Sequence, residues 1–107
     1  MKKKDTDETL DELLSYQINH PYWTIRLSLA KQGYGLDKFI SDPNYLIRIA
    51  VAEHDYGLER LISDRDWMVR AAVAKRGYGL DILINDVNKA VRDIALEKQK
   101  GMCDYDE

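Results

Sequence analysis

A single cysteine, Cys103, is the only thiol in the chain. It has no partner for an internal disulfide and no second thiolate for a metal cluster, which fits a reducing, cytoplasmic setting. Long apolar runs are also missing, and no stretch approaches the roughly 18 residues of a membrane span. The N-terminus, MKKKDTDETLDELL, is basic for three residues and then acidic, without an apolar signal core, so secretion is not expected. Nor is there a strong excess of one charge. The formal net charge is -3, yet Pro21 to Arg92 carries 11 Lys/Arg against 9 Asp/Glu, and the acidity collects in DTDETLDE and DYDE at the two ends. Such a balance neither demands nor forbids a polyanionic partner. Catalytic constellations are missing as well. His20 and His54 have no carboxylate or cysteine at metal-ligand spacing, and Ser15, Ser28, Ser41 and Ser63 have no paired histidine in any recurring arrangement. The GYG triplets lack the lysine and spacing of a phosphate loop. The expectation is a protein that is not an enzyme and that holds neither metal nor cofactor.

What the chain does have is repetition. QGYGLDKFISD, HDYGLERLISD and RGYGLDILIND follow one another, with Tyr34, Tyr56 and Tyr78 spaced by 22 residues. Other columns share the period: Arg26, Arg48, Arg70 and Arg92; Ala30, Ala52 and Ala74; Leu36, Leu58 and Leu80, followed by Met102; Ile40, Ile62 and Ile84. A fixed period in this range marks units that stack and bury their apolar faces against one another. The chain divides into a flexible N-terminal segment 1–9, a half unit 10–20, three full units over 21–86, a C-terminal cap 87–102 and an acidic tail 103–107.

Each unit reads as a long helix and a short one. Asp42 before Pro43 has the form of an N-cap followed by a first-turn proline, and Asp64 and Asp86 repeat it. Ile47, Ala50 and Val51, like Val69, Ala72 and Val73, fall at helical spacing. Gly33 and Gly77 suit the left-handed turn that ends a helix, and Asp55 stands in the same place with less ease. Gly35, Gly57 and Gly79 redirect the chain into a short helical turn, of α or 3₁₀ type, carried by residues such as Leu58, Leu61 and Ile62. The alanine column predicts close helix contact, and Lys31, Glu53, Lys75 and Glu97 alternate in sign so that neighbours on stacked helices could pair. The fold class is therefore all-α, a right-handed α-solenoid of about 22-residue repeats.

DPNYLIRIAVA resembles the second-helix signature of HEAT-like repeats, with aspartate, arginine six residues later and an alanine-rich apolar run. The pairs here are Asp42 with Arg48, Asp64 with Arg70 and Asp86 with Arg92, over roughly Pro21 to Leu96. HEAT-like units are longer, at about 30–47 residues, and a short unit with one full and one abbreviated helix is similar to variant leucine-rich repeats. The resemblance implies an aspartate–arginine ladder between units. It implies no cluster here, since the cysteine-rich segment of the iron–sulfur member has no counterpart.

Two columns invite functional readings. Arg26, Arg48, Arg70 and Arg92 could track a phosphate backbone, but the capping aspartates offer them bidentate partners inside the fold. Trp23, Tyr45 and Trp67, interrupted by Lys89, serve either as core filler or as interface anchors. Tyr34, Tyr56 and Tyr78 are expected to lay their rings over the glycine turns, with the hydroxyls on backbone or water. The leading reading is a non-catalytic protein-interaction module with Trp23, Tyr45, Trp67, Arg65, Arg76 and Lys89 as partner-binding residues. The second is nucleic-acid binding through the same basic and aromatic positions, and the third is a small inhibitory or immunity-type protein. The partner expected first is another protein, with self-association through the stack ends also open and no membrane involved.

Overall fold

The computed structural model describes residues 12–104. The expected N-terminal segment 1–9, the start of the half unit and the last three residues of the acidic tail lie outside that range. The described residues form eight helices and no strand: α1 (12–18), α2 (Trp23–Gln32), α3 (Leu36–Phe39), α4 (Tyr45–Glu53), α5 (Leu58–Leu61), α6 (Trp67–Lys75), α7 (Leu80–Leu83) and α8 (Lys89–Asp104). None of the described helices is long and apolar enough to cross a membrane.

The helix starts differ from the expectation by two residues. Asn44 and Asp66 are the N-caps of α4 and α6, accepting from the Leu46 and Met68 N–H groups at 2.8 and 2.9 Å. Asn88 does the same before α8, accepting from Ala90 N–H at 2.8 Å. Asp42, Asp64 and Asp86 stand earlier, in the turn itself, each accepting at 2.9 Å from the N–H two residues on. Two consecutive Asx turns explain the shift: the second caps the helix, and the first bends the chain into it. His20 replaces the aspartate before α2, where its Nδ1 accepts from Tyr22 N–H at 3.0 Å.

The helix ends follow the glycine pattern. Gly33 and Gly77 take positive φ of 91° and 83°, and Asp55 takes 57°, the one described non-glycine residue to do so. Gly57 and Gly79 do more than permit a left-handed turn. A β-carbon on either would collide with Cδ1 of Ile40 or Ile62, one unit back in the chain. The short helices that follow are single α turns, with Leu61 N–H donating to the Gly57 carbonyl at 3.0 Å and Leu83 N–H to that of Gly79 at 3.0 Å.

The long helices pack in chain order, α2 on α4, α4 on α6 and α6 on α8, while α3, α5 and α7 each pack on the long helix that follows. The core between them holds Ile47, Val51, Val69, Val73, Val91 and Ala95, all closed to water, with Phe39, Leu61 and Leu83 under the short helices. Burying one such valine, leucine or isoleucine contributes about 1.5–3 kcal/mol. Ala30, Ala52 and Ala74 are also fully buried, as close helix contact requires. Met102 departs from the leucine column, being half exposed on the continuous 16-residue α8. Gln99 occupies the place of Gly33 and Gly77, so nothing stops this helix where the others stop.

Candidate interaction face

The partners of the positively charged groups decide what remains for a ligand. Arg26, Arg48 and Arg70 each reach sixteen residues forward and grip a turn aspartate with two nitrogens. Nε donates to Asp42, Asp64 and Asp86 at 2.8, 2.8 and 2.7 Å, and Nη2 donates to the other carboxylate oxygen. Nη1 meanwhile donates to the carbonyl six residues back: His20 for Arg26, Asp42 for Arg48 and Asp64 for Arg70. Arg48 is only 3% exposed and its partner Asp64 8%. These guanidiniums tie one long helix to the turn that starts the next, and their donors are directed at protein oxygens. The Arg70 hydrogen bonds hold the Asp86 carboxyl below the usual carboxylate range against the desolvation that raises it, and raise the Arg70 guanidinium in turn. Arg92 keeps the backward contact, from Nη1 to the Asp86 carbonyl at 2.7 Å, but meets no carboxylate among the described residues.

Arg76 lies at the opposite end of the long helices. It grips Asp55 with two bonds of 2.7 and 2.8 Å in the open, lowering the Asp55 carboxyl and raising its own guanidinium. This clip escapes the sequence reading, although a signal existed: residues 54, 76 and 98 each reach back to the end of the preceding long helix. His54 bonds the Lys31 carbonyl through Nε2 at 2.9 Å and lies against Gly33. Lys98 passes over Gly77. Side chains that can donate are well placed there, where helix carbonyls are free. Lys31, Glu53, Lys75 and Glu97 remain exposed, and among the described residues no ion pair closes between them.

The residues expected to bind a partner are thus scattered. Lys89 is spent on Asp93 at 2.7 Å. Arg65 is exposed beside the Arg48–Asp64 clamp, in an outer groove it shares with Arg60, Ser41 and Ser63. Trp23, Tyr45 and Trp67 open α2, α4 and α6, but the column divides: both tryptophans are about 40% exposed, and Tyr45 is half buried against the core. Tyr34, Tyr56 and Tyr78 are exposed, and their hydroxyls make no hydrogen bond among the described residues.

Trp67 and Arg76 do meet on one surface. A groove of about 500 Å³ runs across three successive long helices, with Ile49 of α4, Met68, Ala71 and Ala72 of α6, and Ala90 and Ile94 of α8 along it. Trp67 stands at one end, with Glu53, Lys75 and Arg76 at the other. Of these apolar side chains, the sequence pattern singles out only Ala72, as part of the core spacing, and not Ile49, Met68, Ala71, Ala90 or Ile94. One signal was an apolar residue, Leu46 and then Met68, recurring at 22. Among the described residues no cluster of three His, Cys, Asp or Glu side chains is placed to hold a metal ion. No protein-family model, no curated protein and no solved structure matches the chain.

Proposed function

We propose that the chain is a non-catalytic protein-interaction module that receives a partner's apolar ridge in the groove across α4, α6 and α8. The architecture that fits this role is a right-handed α-solenoid of about 22-residue units, similar to HEAT-like and variant leucine-rich repeats. That reading is supported by the recurrence of the arginine clamp, the glycine–isoleucine contact and the buried alanine at the same interval. One observation carries the functional reading. The groove is apolar along its length and charged only at one end, whereas three of the four column arginines are engaged by carboxylates inside the fold. A solenoid face of this kind accepts an extended or helical segment without an enclosed pocket.

Photocrosslinking tests it. A photoreactive residue at Met68 should give adducts with a discrete protein in extracts of the source cells, and Ile94→Lys should remove them. The same group at Asp81, on a short helix away from the groove, should give none. Equal labelling from both positions would overturn the assignment. Nucleic-acid binding through Arg65, Arg76, Lys89 and the aromatic positions is the second reading, and what favours it is that Arg65 stands exposed beside Arg60 in the outer groove. A salt-dependent gel shift lost in an Arg60→Gln, Arg65→Gln variant would favour it.

A further inference from the structure

The last long helix carries a copy of the arginine clamp that holds no carboxylate among the described residues, and we infer that it binds the acidic N-terminal segment of a second copy of this chain. The socket has three occupied precedents in the same molecule. In each, Nη1 of the arginine is held by a backbone carbonyl, which aims Nε and Nη2 at the carboxylate of the next turn. Arg92 is held in the same way by the carbonyls of Asp86 and Val87, at 2.7 and 3.1 Å. Its remaining donors have no carboxylate among the described residues. Leu96 lies beside it in the position of Ala30, Ala52 and Ala74, which are fully buried by the following unit, and Leu96 is 50% exposed. An oriented guanidinium and an exposed leucine on one face call for a segment like those that fill the other three sockets.

Such a segment has an aspartate, a second Asp or Asn two residues later, and apolar residues five, eight and nine positions after the first aspartate. Asp64, Asp66, Val69, Ala72 and Val73 fit it. Asp5, Asp7, Leu10, Leu13 and Leu14 fit it too, and their stretch is acidic, opposite in charge to the socket. Leu13 is 53% exposed, so it is free to be covered, while Leu14 already lies partly buried against the core of its own chain. The contact is intermolecular because of reach. Three interaxial steps and two helix radii place the outer side of α8 roughly 35–40 Å from α2, whereas Asp5 to Glu12 spans at most about 25 Å. A head-to-tail contact of this sort is heterologous, so it extends rather than closing as a two-fold dimer.

Sedimentation equilibrium of the full chain tests the inference, in a concentration series up to about 1 mM. The wild type should self-associate, less at high salt. Arg92→Glu, and separately Asp5→Arg with Asp7→Arg, should each weaken association at least about tenfold. An equimolar mixture of the two variants should restore it, since each then meets an opposite charge. Leu96→Lys, at an exposed position, should weaken it as well, and circular dichroism checks that every variant remains helical. Should Arg92→Glu not fold, the Asp5, Asp7 and Leu96 variants decide alone. A wild type that is monomeric throughout, association that the variants leave intact, or a mixture that fails to restore it would each overturn the inference.

Discussion

Arg48 Nε lies 2.8 Å from Asp64 Oδ2, and the two side chains, sixteen residues apart, are almost closed to water. The pair joins α4 to the turn that starts α6. Removing the guanidinium leaves a buried carboxylate without its counter-charge, which costs about 3–5 kcal/mol where burial is complete. Arg48→Gln should therefore shift the urea midpoint strongly downward. Arg76→Gln breaks a bidentate pair of similar length that stands in solvent, and its midpoint should move far less. Equal shifts would mean that burial does not govern the value of these clamps.

A pH series reads the same clamps chemically. Asp86 is held below its ordinary value by hydrogen bonds from Arg70, against desolvation, with the Asn88 N–H adding to the depression. A depressed folded pKa means that in acid the unfolded chain takes up the proton first. The stabilisation is then complete above the ordinary value of 3.8 and is lost as pH falls through the lower folded value. Asp86→Asn should melt below wild type at neutral pH, and the gap should narrow as pH falls from about 4 towards 2. A gap that stays constant with pH would contradict the assignment.

Close helix contact predicts an asymmetry between adjacent residues. Ala52 is fully buried and Glu53 is exposed. Ala52→Leu should cost about 1–3 kcal/mol through overpacking, while Glu53→Leu should change the thermal midpoint little. Equal midpoints would put the wrong face of α4 against its neighbours.

Gly79 is needed for two reasons, its φ of 63° and the approach of Ile62 Cδ1. Gly79→Ala should destabilise more than Gly77→Ala, where the nearest atom is the flexible Lys98 side chain at 3.6 Å. Ile62→Val, which shortens the colliding side chain, should recover part of the Gly79→Ala loss. If it recovers nothing, the backbone conformation alone accounts for the glycine.

Much of this was legible in the residues. Helical spacing placed α4 and α6, the 22-residue columns placed α2, and the left-handed turn at Gly33, Asp55 and Gly77 placed their ends. The caps were misread because Asp42 and Asn44 can both cap, and only the geometry shows that the first is turned towards an arginine. The Asp55–Arg76 clip was hidden because its partners are one unit apart and belong to different columns. The groove was missed for a different reason. Met68 is exposed whereas Ile49 is partly buried against the core, and a one-dimensional pattern does not say where an apolar stripe stops facing inward. The aromatic column suggested one role for three residues, whereas burial divides Tyr45 from the two tryptophans.

The central claim is that Arg26, Arg48 and Arg70 of the arginine column are spent inside the fold, leaving the apolar groove for a partner. Arg70→Gln tests it, with thermal stability and affinity for a nucleic-acid duplex measured on the same preparation. The account predicts a lower melting midpoint, because Asp86 loses its bidentate partner, and no change in duplex binding or its salt dependence. An unchanged midpoint with weaker duplex binding and a salt slope reduced by about one unit would contradict it, and would make the column a phosphate-binding edge.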